Sequence, residues 1–245
     1  MKVHPVIRAG LRMVLDFVLP ARCAGCGLVI ADDHSFCVDC WKAVEFLGES
    51  GCRTCGLPLE ATEAETCAPC LAKPPRIERM RAAVAYDELS RGLALRLKYG
   101  RKVGIARTMA HYMAPLVSAR DSEMILVPVP LHRQRLWQRG FNQSVLISRE
   151  LSRKTGCAAD AGLLRRVKRT PALKGMSLLQ RRRAVAGAFS VRSAAELQGR
   201  TVVLVDDVLT TGSTANACAR ALKQAGADRV ELVSWARVVR PTRLD

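Results

Sequence analysis

The sequence predicts an α/β fold, a mainly parallel sheet flanked by helices, with a small cysteine-built module ahead of it. Three observations predict this. Past residue 80, short apolar runs alternate with amphipathic stretches of helical period. Eight of the ten cysteines fall between residues 23 and 70, in four Cys-x-x-Cys pairs. At residues 201–214 an apolar run leads directly into two aspartates, a hydroxyl-rich loop and a helical pattern. With 245 residues, 49% of them apolar, the chain has material for one packed core and an appendage.

Taken in order, Val6–Leu19 reads as a helix with Ile7, Leu11, Val14, Leu15 and Val18 on one face. Its most apolar stretch, Met13–Ala21, is broken by Asp16 and is far shorter than the ~20 residues a spanning helix needs. Arg8, Arg12 and Asp16 interrupt any signal-peptide core, and no small-residue cleavage site precedes Cys23. A cytoplasmic protein without a membrane span is expected, so the thiols need a role other than disulfides. Ala72–Pro75, with two prolines, reads as a linker. The expected organisation is an N-terminal helix in 1–20, a cysteine module at 21–75 and an α/β domain at 76–245.

Within the last part, Ala82–Tyr86, Met124–Val129, Leu163–Val167, Ala188–Val191, Thr201–Val205 and Val230–Val233 read as strands. Leu89–Leu97, Ile105–Ala114, Gln143–Thr155 and Thr214–Ala225 read as helices, the last stopped by Gly226. Lys168–Arg183 is basic and has no clear period. Strands separated by helices imply parallel pairing, and such sheets bind ligands at the carboxyl ends of their strands.

The cysteine pairs are Cys23/Cys26, Cys37/Cys40, Cys52/Cys55 and Cys67/Cys70, at nearly equal intervals. A Cys-x-x-Cys turn aims two sulfurs at one ion, and two such turns complete a tetrahedral S4 site that selects Zn2+. Eight cysteines make two sites. Gly27 and Gly56 follow the first pair of each half, where the turn needs a positive φ. The halves 23–40 and 52–70 look alike, which favours sequential pairing over an interleaved arrangement; a thioredoxin-like redox pair, which needs only one motif, and an iron–sulfur cluster are the competing readings. Sulfur fills every position, so the sites are structural. Cys157 and Cys218 stand outside the pattern as core thiols.

In Thr201–Thr214 the helix start, with hydroxyls of Thr210, Thr211, Ser213 and Thr214 around Gly212, makes an anion cradle. Asp206 and Asp207 would repel a bare phosphate. They make sense if the ligand also presents hydroxyls or a divalent metal, as a ribose 5-phosphate does. There is no Walker A lysine pattern, and no G-x-G-x-x-G follows a strand.

This stretch resembles the signature of type I phosphoribosyltransferases. The resemblance implies that Asp206 and Asp207 hold the ribose hydroxyls at the catalytic centre, that residues 210–214 hold the 5-phosphate, and that the fold is phosphoribosyltransferase-type. Further segments, Leu97-Lys98-Tyr99-Gly100, Val127-Pro128-Val129-Pro130-Leu131, Arg139-Gly140-Phe141-Asn142-Gln143-Ser144 and Arg182-Arg183 before Gly187-Ala188-Phe189, occur in this order in the ComF family. That family also carries an N-terminal cysteine knuckle module and includes competence proteins needed for uptake of transforming DNA. The resemblance implies 5-phosphoribosyl-1-pyrophosphate with Mg2+ as ligand, transfer of the phosphoribosyl group to an acceptor, and protein partners in a DNA uptake machinery. Leu173 and Ala184 depart from the usual pattern, in the segment that corresponds to the loop closing over the ligand.

The charge is uneven. Residues 1–80 hold 9 Lys/Arg against 10 Asp/Glu, whereas residues 81–245 hold 30 against 12. Such a field attracts polyanions. Arg133, Arg135 and Arg139 follow a strand end where a pyrophosphate would sit, and Lys98 would reach the same group; a solvated basic loop and compensation of a helix dipole are the bland alternatives. Asn142 and Gln143 are expected either at the ligand or as a helix cap. Arg165, Arg166, Lys168, Arg169, Lys174 and Arg181–Arg183 form the densest basic run, suited to pyrophosphate or to single-stranded DNA. The second function class is therefore a non-enzymatic, ligand-responsive DNA-binding protein.

Overall fold

The computed structural model describes residues 20–48, 51–59, 64–100, 102–117, 124–168 and 177–239. The expected helix Val6–Leu19, Leu173, Arg169 and Lys174, and the side chains of Arg181 and Arg182, lie outside these. A five-stranded parallel sheet runs in the order β1–β7–β6–β2–β3, built from β1 (Arg79–Ala85), β2 (Met124–Pro128), β3 (Ala158–Ala159), β6 (Thr201–Leu209) and β7 (Arg229–Arg237). Beside it, β4 (Leu164–Arg166) and β5 (Phe189–Val191) pair antiparallel as a separate small sheet.

Both faces of the parallel sheet are covered, which is why β6 opens on an unbroken apolar run. Alternate residues feed the two cores. Val203 and Val205 pack with helices α3 (Glu88–Tyr99), α4 (Ile105–Met113) and α6 (Gln143–Thr155), through Leu93, Leu97, Met109, Met113, Ile147 and Leu151. Val202 and Leu204 pack with α8 (Ser213–Gln224), through Ala215, Cys218, Ala219 and Leu222. Cys157 and Cys218 are buried, as expected. Among the described residues no helix is long and apolar enough to cross a membrane.

The cysteine-rich segment lies along β1, whose outer edge would otherwise offer free backbone groups. Leu47 N–H donates to Ala83 O at 3.0 Å, Ala85 N–H to Glu45 O at 2.8 Å, and Met80 N–H to Thr54 O at 2.7 Å. Short helices α1 (Val38–Ala43) and α2 (Ala68–Ala72) start within the second cysteine pair of each half, capped by Cys37 and Cys67 and containing Cys40 and Cys70.

Helix α6 has the expected bounds because both ends are signalled locally. The Asn142 side chain accepts from Ser144 N–H at 3.0 Å, and Gly156 closes it in the left-handed region at φ 78°. Some features differ from expectation. The two-residue strand β3 is not among the strands read from the sequence. Arg133–Arg139, given no element and with a solvated basic loop as the bland alternative, is helix α5, ended by Gly140 at φ 80°. Strand β6 runs on to Leu209, so the aspartate pair lies within the strand and not beyond its end. Pairing of Asp206 with Ser234 and of Val208 with Ala236 of β7 prolongs it. In the stretch without a clear period, α7 (Leu178–Val185) forms under a Ser177–Gln180 capping box.

Candidate functional site

The metal centres are built first. The sulfurs of Cys23, Cys26, Cys37 and Cys40 lie within 4.8 Å of one another, and so do those of Cys52, Cys55, Cys67 and Cys70. Pairing is sequential. A tetrahedral ion with Zn–S bonds of ~2.3 Å needs sulfurs this close. Gly27 and Gly56 take φ of 85° and 67° at the tight turns. Backbone N–H groups already point at sulfur: Cys37 N–H donates to Cys23 Sγ at 3.2 Å and Cys67 N–H to Cys52 Sγ at 3.3 Å. Burial raises the Cys23 thiol, but the backbone N–H groups of Cys26, Cys37 and Gly25 outweigh it and hold it at about 6. Cys52 is held at about 6 in the same way, by Cys55, Cys67 and Thr54 against burial. Both sets fit structural Zn2+, with all four positions filled by sulfur and none left for water.

The acidic pair sits on β6 facing the start of α6. Asp207 is 4% exposed and has both oxygens engaged: Gln143 Nε2 donates to Oδ1 at 3.2 Å, and Lys98 of α3 forms an ion pair with Oδ2. Asp206 is partly open. Its Oδ1 accepts from Ser144 Oγ at 3.1 Å and from Asp207 N–H at 2.9 Å, and among the described residues no donor reaches Oδ2. Burial, then the neighbouring Asp207 charge, push the Asp206 carboxyl up to about 7. Burial lowers Lys98, but contact with Asp207 and the charge of Asp206 outweigh it and keep the ammonium protonated. Lys98 therefore neutralises a crevice that two carboxylates alone would make repulsive to phosphate.

The hydroxyl loop follows at once. Gly212 caps α8 at φ 68°, a left-handed conformation that glycine adopts without penalty. That turn brings Thr211 Oγ1 within 2.9 Å of Ser213 Oγ, above the unpaired N–H groups of the first turn of α8. Asn216 Nδ2 donates back to Gly212 O at 3.1 Å and fixes the turn. Thr210 and Thr211 are exposed, Ser213 is buried and Thr214 is half-buried.

The cations expected at a pyrophosphate are not equally placed. Arg139 donates to Gln143 Oε1 at 3.2 Å and to Tyr99 Oη at 3.1 Å, so it joins Lys98 beside the acidic pair. Arg133 is the exposed first residue of α5, and among the described residues it makes no contact with that group. Arg166 is half-buried against the Phe189 ring, 5.5 Å from its centroid, and is not a freely solvated member of the basic run. Asn142 caps α6 and donates to Val129 O at 3.0 Å, which ties the helix to the end of β2. Gln143, expected at the ligand or in a cap, reaches Asp207. Ser144 is the residue beside the acidic pair that chain order did not single out, although it closes the quoted segment Arg139–Ser144.

A double zinc ribbon set against a parallel sheet that carries an acidic pair and a hydroxyl loop defines a protein with a phosphoribosyltransferase-type domain. Residues 14–71 match the double zinc ribbon domain family and residues 142–243 the phosphoribosyl transferase domain family. The chain is 34% identical over 224 residues to Competence protein F of Haemophilus influenzae, covering 88% of this chain and 96% of that protein. It is 35% identical over 221 residues to DNA utilization protein YhgH of Salmonella typhimurium, covering 87% and 96%. Against Competence protein ComFC of Streptococcus pneumoniae the identity is 26% over 212 residues, covering 84% and 89%. The chain belongs to the ComF family.

Proposed function

We propose that the protein binds 5-phosphoribosyl-1-pyrophosphate and transfers its phosphoribosyl group. In this reading residues 76–245 hold the ligand and 21–75 hold the two zinc ions. The observation that carries it is the adjacency of two chemistries on one strand: a partly open carboxylate at Asp206 for ribose hydroxyls, and four residues later an anion cradle at Thr210–Thr214 for the 5-phosphate. Asp207 contributes chiefly by holding Lys98, whose ammonium, with Arg139, faces the leaving pyrophosphate. Arg133 stands farther out, at the rim. Mg2+ would be held by Asp206 and the ligand's own oxygens, and would supply neutralisation of the pyrophosphate. The C1–O bond to pyrophosphate breaks as an acceptor's electron pair forms the new bond to C1. Charge stabilisation by Lys98 and Arg139 lowers that barrier without a protein nucleophile.

The test is calorimetric binding of ribose 5-phosphate. Asp206→Ala and Thr211→Val are expected to weaken it by about ten- to a hundredfold, the worth of one charge-assisted hydrogen bond. Wild-type affinity in the Asp206→Ala, Asp207→Ala double variant overturns the site. Asp206→Asn also carries a pH signature. The folded carboxyl titrates at about 7 against an ordinary 3.8, so the native state binds the extra proton. Its contribution to stability is full below 3.8 and lost as pH rises through about 7. Between about pH 6 and 7 wild type is expected to lose stability that Asp206→Asn keeps, and above about 7 the two should run parallel.

A second reading has its own observation. Trp137 on α5 is 87% exposed, among Arg133, Arg135 and Arg139. An exposed ring amid cations is a stacking platform for single-stranded nucleic acid. The relatives named for competence and DNA utilization support a role in DNA uptake. Single-stranded DNA binding by fluorescence anisotropy is expected to fall by orders of magnitude between ~50 and ~200 mM salt. It is also expected to weaken in Trp137→Ala and in Arg165→Ala. A flat salt response removes this reading and leaves the enzyme.

A further inference from the structure

Behind the hydroxyl loop lies a cavity of about 580 Å3. That volume is within the ~300–1,000 Å3 of small-molecule sites and far exceeds what one phosphate fills. The loop Thr210–Ser213 forms one wall; Cys67, Pro69 and Cys70 of the second zinc site form another. Asp206, Asp207 and Lys98 are not on it, so the cavity continues from the phosphate side of the loop and away from the ribose side.

Apart from the thiolates of the second zinc site, the charged side chains that line it, Lys73, Arg76, Arg220 and Arg237, are all cationic, with no Asp or Glu. Arg237 is committed to the second zinc site, where it donates to Cys55 O at 2.7 Å. Lys73, Arg76 and Arg220 are exposed, and among the described residues none of them pairs with a carboxylate. Helix α8 supplies a scale. Ser213, Asn216, Ala217 and Arg220 form one stripe facing the cavity. Arg220 stands two turns beyond the loop, roughly 10 Å along the axis. A group attached to a phosphate in the cradle would extend along this stripe toward it. Pro74, Pro75, Met80 and Val185 add an apolar lining suited to a flat ring.

Building on the ribose phosphate reading above, we infer that the cavity holds a substituent carried on the ligand's 5-phosphate. The protein then accepts a ribose with a free diol whose 5-phosphate is joined through a phosphoanhydride to a nucleoside phosphate, the class of ADP-ribose. The diol faces Asp206, the first phosphate sits in the Thr210–Thr214 cradle, the second faces Arg76 and Arg220, and the nucleoside fills the apolar end.

Calorimetry on the full-length, zinc-loaded protein tests this with ribose 5-phosphate, ADP-ribose and the ribodinucleotide ApA, which has the diol but no pyrophosphate. ADP-ribose is expected to bind at least about tenfold more tightly than ribose 5-phosphate, a gain of ~1.4 kcal/mol. Arg76→Ala with Arg220→Ala should remove that gain and leave ribose 5-phosphate within about twofold of wild type. Zinc content and melting temperature confirm that the variant is folded. Equal binding of the two ligands by wild type, or equal weakening of both by the variant, overturns the inference. A gain with ApA equal to that with ADP-ribose overturns the pyrophosphate ester in favour of an RNA 3′ end. If neither ribose 5-phosphate nor ADP-ribose binds, the ribose phosphate reading itself falls.

Discussion

The two zinc ribbons are near copies in sequence and unlike in their surroundings. The first packs on the α3/α4/α6 face of the sheet, through Phe36, Val44 and the buried Cys23 and Cys37, while Cys26 stays exposed. Aromatic rings chiefly hold it: Phe36 stacks on Tyr112 with centroids 5.4 Å apart, Trp41 and Phe46 lean on the same ring, and Arg96 of α3 adds one bond to Ala24 O at 2.8 Å. The second packs on the α8 face, with Cys52, Cys55 and Cys67 all buried. Arginines from the core strands hold it. Arg81 of β1 donates to Arg53 O at 3.1 Å, and Arg237 of β7 donates to Cys55 O and, at 3.4 Å, to Cys55 Sγ. Four thiolates outnumber the charge of one Zn2+, so each site stays anionic, and the buried one requires cations that an exposed one can obtain from solvent. One cysteine pattern therefore serves two purposes: the first ribbon is an appendage stapled by rings, and the second is a wall of the core, reaching the cavity behind the hydroxyl loop.

The strongest way to break this comparison is to remove a ligand from each site. Cys55→Ser frees the second zinc and leaves Arg237 beside an empty, buried pocket. The expected cost is about 3–5 kcal/mol. At about 2–4 °C per kcal/mol that lowers the core melting temperature by roughly 6–20 °C. Cys26→Ser is expected to release the first zinc and move the same transition by no more than about 1 kcal/mol. Differential scanning calorimetry with elemental analysis reads both, and equal shifts would mean that the two ribbons are equivalent.

A smaller effect isolates the cation. Arg237→Gln keeps a donor near Cys55 O but removes the charge beside Sγ. Chelator competition is expected to extract the second zinc about ten- to a hundredfold more readily, the worth of a charged hydrogen bond of about 1.5–3 kcal/mol. The first zinc should leave at its wild-type rate. Faster loss from both sites would show that Arg237 supports the whole module.

How much of this was legible in the sequence follows from contact range. The cysteine turns, the strand–aspartate–hydroxyl–helix run and α6 are each specified by neighbours along the chain, and each was read at or near its place. The unequal roles of the ribbons were not legible, because Arg81 and Arg237 lie far from Cys52 and Cys55 in sequence and look like any other basic residue. The same holds for Lys98 against Asp207, and for Ser144 against Asp206. Helix α5 was missed because seven residues rich in arginine give little period, and its stop signal, Gly140, also suits a loop. The extension of β6 was missed because aspartates ordinarily end a strand; here pairing with β7 overrides that preference.

The smallest expected effect probes the aromatic staple from the core side. Tyr112 on α4 touches Phe36, Trp41 and Phe46, and its ring also lies 6.4 Å from Trp235. Tyr112→Leu keeps much of the apolar volume and removes the ring contacts, each worth about 0.5–1.5 kcal/mol beyond burial. Some of that is recovered by repacking, so the expected net loss is about 1 kcal/mol. It should fall on the first ribbon alone: zinc leaves that site several-fold faster under chelator, while the second site and ribose 5-phosphate affinity stay as in wild type. Because the variant sits in the core and its consequence is expected in the appendage, it separates the two ribbons without altering a metal ligand. Loss of zinc from the second site in Tyr112→Leu would mean that the faces of the sheet are coupled, and that burial alone does not explain why the ribbons differ.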